Sequence, residues 1–501
     1  MNRKNHVTRG RAVPCVRKRD YMKPVRTRFA PSPTGYMHIG NLRTALYAYL
    51  IAKKAKGSFI LRIEDTDRSR QVEGADEVIF STLKDAGLFW DEGPDVGGPY
   101  APYTQSERKD AYLEGAKILI ENGDAYYCFC SKDELDRRCA KEDGAARYDG
   151  HCRGLSDDDA NEMLERGLPY VIRQKMPKEG VTVFSDLVYG DIAVDNSELE
   201  DQILIKSDGM PTYNFANVVD DHAMEISHVI RGNEYLSSAP KYTLLYRAFG
   251  WDIPAYIHCP QVMRDHQHKL SKRDGDASYQ DFAEKGFLPE AIINYLALLG
   301  WSPKGEKEIF SLEELIEQFD VAGMAKSPAI FDLQKMKYIN AEHIRALSKE
   351  QFMNSAMPFI KQAVSRDDID FAVLSETLQP RCEFFADIPD KLGFIDALPE
   401  YGSFLFFNRK MKTSPDTSRE VLTAALGVLE NLGDFTKDGV HAALFALIER
   451  LGIKNGLLLW PLRAALSGLP STPGGGVELA AILGKEETLA RLKKALAVLR
   501  Q

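Results

Sequence analysis

VRTRFAPSPTGYMHIGNLRTALYAYLIAKKAKGSFILRIEDTD, residues 25–67, decides the fold. Val25 to Ala30 reads as a short strand, with Val25, Thr27 and Phe29 alternating with Arg26, Arg28 and Ala30. Pro31, Ser32, Pro33, Thr34 and Gly35 break it into a stiff loop. A helix follows from about Gly40 to Ala55, with Leu42, Leu46, Tyr49 and Leu50 on one face and Gly57 as its stop. Phe59, Leu61 and Ile63 form a second strand that runs into Glu64, Asp65, Thr66 and Asp67. Strand, crossover helix and strand predict a parallel pair in an α/β sheet, which binds ligands at the carboxyl ends of its strands. Both the Pro-rich loop and the acidic run lie there.

Working outward, strand and helix signals recur at Gln202–Lys206, Ser227–Arg231 and Tyr256–Cys259, the second half of the same domain. A Cys-bearing insert, Tyr127 to Arg153, separates the halves. Beyond about Leu312 strand signals nearly vanish. Helices are expected at Leu312–Phe319, Val373–Leu378, Arg419–Leu432, Gly439–Leu451, Val477–Leu483 and Glu487–Leu499. The expected division is a disordered extension over 1–22, a first Rossmann half over 23–125 and an insert over 126–200. A second half over 201–260, a loop and stem-contact region over 261–340 and an all-helical part over 341–501 complete it.

Bulk properties exclude more than they decide. No run approaches the roughly 20 apolar residues of a membrane span. A net charge of −9 argues against a non-specific nucleic-acid coat, yet a local basic face can coexist with it. Seven cysteines are too few for a disulfide scaffold and suit a reducing, cytoplasmic compartment. The basic stretch before Asp20 has some character of a transit peptide but lacks a secretory apolar core.

Two segments carry chemistry. The loop ending His38–Ile39–Gly40 opens a helix, whose free N–H groups and positive end suit phosphate oxygens. Alone, it is as easily an ordinary turn with a histidine. Lys269–Leu270–Ser271–Lys272–Arg273, before Asp274–Gly275–Asp276, sets three cations beside a glycine, as a polyphosphate-gripping loop would. Its bland alternative is a solvated charge run.

Together these segments resemble the paired signatures of the class I aminoacyl-tRNA synthetases. Arg28–Gly35, Leu61–Asp67, Asp91–Glu92–Gly93–Pro94, Pro211–Phe215 and His228–Gly232 narrow the resemblance to the bacterial-type glutamyl branch, from about Arg26 to the C-terminus. It implies a Rossmann-type parallel sheet with an acceptor-binding insert and an all-α anticodon-binding region. It also implies ATP-dependent activation of glutamate, with Mg2+, and transfer to the 3′ ribose of tRNA-Glu, some relatives also charging tRNA-Gln. His38, Gly40, Lys269, Ser271 and Lys272 would contact ATP, with His38 and Lys272 catalytic. Phosphoryl-centred displacement needs positioning and positive charge rather than a protein nucleophile.

The same resemblance assigns glutamate to Arg28, Ala30, Ser32, Glu64, Tyr213, Asn217 and Arg231, with Arg28 as the carboxylate fork and Glu64 as the ammonium partner. Reading a charge makes a separate editing domain unnecessary. Cys128, Cys130 and Cys152 offer thiolates for a structural zinc, as some relatives carry there, with Tyr148 preferred over His151 as fourth ligand and Cys139 nearby. Gly154 stands where some relatives place a histidine. Arg381 matches an arginine that inspects the third anticodon base in some relatives. Lys454, Arg463, Lys485, Arg491, Lys493 and Lys494 either touch tRNA phosphates or are solvated. The family precedent is a monomer. Two alternatives compete: a truncated glutamyl–queuosine tRNA-Asp synthetase, which lacks the helical region, and a non-catalytic tRNA-binding paralogue, which has no need of His38, Gly40 and Lys272.

Overall fold

The computed structural model describes residues 24–67, 71–138, 141–142, 145–146, 148–271, 275 and 277–500. The extension expected over 1–22, Cys139, Lys272, Arg273, Asp274 and Asp276 lie outside the described residues.

Strands Arg26–Phe29 and Ser58–Leu61 pair in parallel, Arg26 opposite Ser58, with helix Ile39–Lys54 crossing between them. Ten of that helix's 16 residues are buried, so the expected apolar face is only part of what it buries. Its far side packs on helix Pro289–Leu298, where Tyr47 Oη donates to the Ala297 carbonyl (3.0 Å). Gly57 does not end the helix through its own backbone freedom. Lys56 takes the left-handed turn (φ 53°), and Gly57 is needed because a Cβ there would sit 1.9 Å from the Val25 carbonyl oxygen.

The Ser227 N–H donates to the Arg26 carbonyl (3.0 Å), which seats strand His228–Gly232 beside the first pair. That strand runs parallel to Ala255–Cys259, with Arg231 opposite His258. Ala255–Cys259 in turn meets Val181–Asp186 through Tyr256 and Asp186, and the hairpin strand Gly190–Asp195 closes the row. Ala125–Cys128, Val171–Gln174 and Ile203–Ile205 form a separate antiparallel sheet. A division at 200/201 would therefore cut a sheet, and the hairpin Val181–Asp195, inside the span expected as insert, is joined to the main sheet. Strand partners are fixed by hydrogen bonds between distant segments, which local patterning does not carry.

From Ile344 to Leu499 a second apolar core forms almost entirely from its own helices. Leu312–Gln318, Phe371–Leu378, Pro415–Glu430 and Lys437–Leu451 fall where helices are expected. The last two expected helices stand on either side of Gly484, whose non-helical backbone (φ 78°) breaks the span Gly476–Val498 in two. Leu333–Ala346, Lys349–Ala363 and Asn455–Ser467 were not expected. Pro358 and Pro461 lie inside two of them and read locally as breakers. Yet a Ser348–Gln351 capping box marks one start. The division placed at 340/341 falls within Leu333–Ala346, whose backbone bonds run unbroken through it. One late strand, Ala329–Ile330, pairs with Val262–Met263 and so steadies the hairpin that leads into Lys269. Among the described residues no helix is long and apolar enough to cross a membrane.

Candidate active site

His38 is the N-cap of helix Ile39–Lys54, and its Nδ1 accepts the Gly40 N–H (3.0 Å). That bond leaves the ring proton on Nε2, which lies 3.2 Å from the Leu270 carbonyl. Ile39 N–H donates to Ala277 O (3.0 Å) and Tyr279 N–H to Met37 O (3.1 Å). Two loops more than 200 residues apart in sequence are thus clamped together. The free amides expected at this helix start are already taken: Ile39 by Ala277, Gly40 by His38, Asn41 by the His38 carbonyl. What the helix offers an anion is its field. Lys269 is exposed and Ser271 half-buried beside it.

Beneath the carboxyl ends of the strands lies a buried ionic cluster. Arg28 donates through Nε and Nη2 to both Asp221 oxygens (3.0 and 3.2 Å) and through Nη1 to the Ile230 carbonyl (3.2 Å). It is thus not the open fork the sequence led us to expect, because helix Tyr213–Ala223 presents Asp221 to it. Arg62, fully buried, bridges Asp221 (2.8 Å) and Glu64 (2.9 Å). Arg108 and Tyr112 hold Asp220 (2.7 and 2.8 Å). Burial raises the Glu64 carboxyl, with Arg62 and Arg28 pulling it back. Glu64 Oε1 takes the Arg62 bond, while Oε2 is buried with no partner.

Arg231 Nη2 is the opposite orphan: buried, with no hydrogen-bond partner. Its guanidinium lies 4.4 Å from the Tyr242 ring centre and 5.1 and 5.5 Å from those of Tyr256 and Tyr235. Tyr213 packs its ring 5.4 Å from that of Tyr235, beside Arg231. Its hydroxyl is pushed well up, by burial first and then by Glu64, while Arg231 acts in the opposite sense. Asn217, buried on the same helix, donates to the Tyr213 carbonyl (2.7 Å). Ala30 is half-buried and Ser32 exposed on the loop after the first strand. The sequence reading missed Arg62, Asp220, Asp221 and His258. The signal was there: a charged residue between Leu61 and Ile63, and an acid pair directly after Val218 and Val219, are charges at core positions.

The sulfurs of Cys128, Cys130 and Cys152 lie within 4.8 Å of one another. Tyr148 Oη is 3.3 Å from Cys128 Sγ and accepts the Cys152 N–H (3.1 Å). His151 points its backbone N–H to Asp149 and is exposed, outside the thiol group. Hydrogen bonding from Cys152 outweighs burial and, with help from Tyr148, pulls the Cys128 thiol down to about 4. The Arg138 guanidinium donates to Cys130 Sγ (2.9 Å). The donor set and its convergence fit a thiolate-binding metal.

Arg381 is exposed on a short turn, Gln379–Arg381, and lines a cleft of about 350 Å3 with Lys337, Tyr338, Arg345 and Glu383. Of the six distal cations, three are structural rather than phosphate-facing or solvated. Arg491 donates to the Phe394, Ile395 and Leu466 carbonyls, Arg463 to those of Leu469 and Pro470, and Lys485 to Leu432. Lys454, Lys493 and Lys494 are exposed.

Residues 24–338 match the family described as tRNA synthetases class I (E and Q), catalytic domain, and residues 351–496 match the anticodon binding domain. The chain is 56% identical over 474 residues to the glutamate–tRNA ligase of Clostridium novyi (strain NT), covering 94% of this chain and 97% of that protein. It is 57% identical over 485 residues to that of Clostridium botulinum (strain Eklund 17B / Type B), covering 95% and 99%. A crystal structure of a glutamate tRNA ligase from Elizabethkingia meningosepticum in complex with its amino acid superposes with a TM-score of 0.84 at 36% identity, covering 95% of this chain and all of that one. The chain belongs to the glutamate–tRNA ligase family of class I synthetases.

Proposed function

We propose that this chain is a ligase that activates glutamate with ATP and transfers the glutamyl group to the 3′-terminal ribose of tRNA-Glu. The observation that carries the reading is the pair of buried orphans, Glu64 Oε2 and Arg231 Nη2. A ligand with an ammonium at one end and a carboxylate at the other satisfies both; glutamine would leave a guanidinium N–H facing an uncharged amide. In this reading Arg28, Ala30, Ser32, Glu64, Tyr213, Asn217 and Arg231 surround glutamate. His38, Gly40, Lys269, Ser271 and Lys272 serve ATP, whose phosphates and water hold Mg2+. The insert meets the acceptor end and Arg381 reads an anticodon base. The enzyme works as a cytoplasmic monomer; a mass of one chain in light scattering checks the second point. Purified protein should charge tRNA-Glu transcript with glutamate only when ATP and Mg2+ are present. Absence of charging on both tRNA-Glu and tRNA-Gln would overturn the reading. If Arg381 is the gatekeeper, Arg381→Gln should raise charging of tRNA-Gln relative to tRNA-Glu by about tenfold, the scale of one base contact.

Zinc belongs to the same proposal. Cys128, Cys130 and Cys152 would hold it as thiolates, with Tyr148 Oη as the fourth donor, and it would supply folding energy to the insert. Metal analysis should return about one zinc per chain. Cys152→Ser should lose it and lower Tm by roughly 1 °C for each kcal/mol given up, in a chain of 501 residues. A zinc-free wild type of unchanged Tm would remove the metal.

A further inference from the structure

We propose that His258, held in a single tautomer by Asp186, is the positioning residue that aims Arg231 at a substrate carboxylate. The proposal rests on the reading of Arg231 as part of the glutamate pocket. Three neighbouring parallel strands end in a row: Arg231 stands opposite His258, and Asp186 opposite Tyr256 two residues before it. Asp186 Oδ1 accepts the Val188 and Tyr189 N–H groups (2.9 and 2.8 Å), which fixes the carboxylate. Its Oδ2 accepts the backbone N–H of His258 (3.1 Å) and faces the imidazole Nδ1 (2.7 Å). Both side chains are fully buried.

Arg231 Nε can only donate, and it meets His258 Nε2 at 3.1 Å. Nε2 must therefore be the bare nitrogen, and the ring proton sits on Nδ1, toward Asp186. Burial depresses the imidazole's basicity more than Asp186 raises it, so the ring is neutral. A protonated ring would oppose two N–H groups at Nε2.

A neutral acceptor has a consequence that a carboxylate would not. Arg28 is gripped by the Asp221 carboxylate, which offsets its charge. Among the described residues no carboxylate pairs with Arg231. Histidine fixes the direction of its guanidinium while leaving the whole positive charge for a ligand. Three tyrosine rings pack around it, and the buried, unpartnered Nη2 is a donor left for a ligand. Asp186 orients His258, His258 orients Arg231, and neither of the first two touches the substrate.

The test is steady-state charging of tRNA-Glu with glutamate, ATP and tRNA varied in turn. His258→Leu should raise KM for glutamate by about 10- to 100-fold, the range of one charge-assisted hydrogen bond, with KM for ATP and tRNA unchanged. His258→Gln, which can place an amide oxygen near the Nε2 position, should recover most of the loss. Asp186→Asn offers an N–H to Nδ1, drives the proton to Nε2 and should reproduce the His258→Leu phenotype with the imidazole still present. Nitrogen-15 shifts of the wild-type ring should report a protonated Nδ1 and a bare Nε2, a readout that needs neither activity nor a variant. A proton on Nε2 overturns the proposal. So does wild-type glutamate KM in a folded His258→Leu protein, or an equal rise in all three KM values. Should His258→Leu fail to fold, the ring shifts and the His258→Gln kinetics decide. A wild-type protein that charges no tRNA with glutamate would instead sink the functional reading beneath.

Discussion

Replacing Arg28 by Ala should give a chain destabilised by about 3–5 kcal/mol whose glutamate KM rises roughly 100-fold. Arg28 would act on substrate, but it is also one of three arginines, with Arg62 and Arg108, that balance the three carboxylates Glu64, Asp220 and Asp221 out of water. Deleting it leaves Asp221 to Arg62 alone, which already serves Glu64. The second effect runs through Glu64. Burial pushes this carboxyl up, and Arg62 and then Arg28 are the charges that oppose that push. Without it burial acts on that carboxyl with less opposition, and the ammonium site loses negative charge. The stability loss also has a pH signature. Asp221 is held below the usual carboxylate range by Arg28 and then Arg62, which outweigh its burial. A depressed folded-state value contributes stability in full above about pH 4, the unfolded value, and that share is lost as pH falls from there through the lower folded value. The gap between wild type and Arg28→Ala should therefore narrow in acid. Urea unfolding at pH 7 and at about pH 3, with glutamate kinetics at neutral pH, checks both halves. Unchanged kinetics in a folded variant would take Arg28 out of the pocket, and a loss under about 1 kcal/mol would reduce the cluster to ordinary surface pairing.

That cluster shows where sequence stops. The parallel pair, its crossover helix and the placement of two odd loops at the strand ends were readable between Val25 and Asp67, because hydrophobic periodicity and Pro/Gly punctuation are local. The joining of His38 to Leu270 was reachable only by resemblance, since nothing local links segments 232 residues apart. The true partner of Arg28 was not legible at all. An exposed arginine and one locked to Asp221 look the same in a strand, and which acid faces it depends on how helix Tyr213–Ala223 lands on the sheet. His258 is similar: its neighbours Ile257 and Cys259 mark it as core, but only the register opposite Arg231 gives it work. In the helical region the errors were of another kind. Lys349–Ala363 and Asn455–Ser467 lie outside the expected helices, and each holds an internal proline, Pro358 and Pro461, that tertiary packing tolerates. The Ser348–Gln351 cap was the better witness.

Lys272→Ala should lower the rate of glutamate activation by about 100- to 1,000-fold, while KM for glutamate moves less than about twofold. In the proposed first step a glutamate carboxylate oxygen bonds to the α-phosphorus of ATP, the bond to the β-phosphate breaks, and pyrophosphate leaves with the electron pair. Charge on the α-phosphoryl oxygens and the departing bridge oxygen peaks in the transition state. A cation placed there therefore stabilises that state more than either ground state. Glutamate, by contrast, would be held at its ends by Glu64, in the run after strand Ser58–Leu61, and by Arg231 on strand His228–Gly232, through other atoms. The two parameters should separate for that reason. Lys269 and Ser271 flank the position, and the Leu270 carbonyl is tied to His38, so losing one side-chain amine leaves that tie in place. Pyrophosphate exchange measured with cognate tRNA present, alongside Lys272→Arg as the charge-keeping control, reads the effect. Equal losses in rate and glutamate affinity would mean that Lys272 supports the ground state. Full activity in Lys272→Ala would pass the phosphate role to Lys269 or to His38 at the helix start.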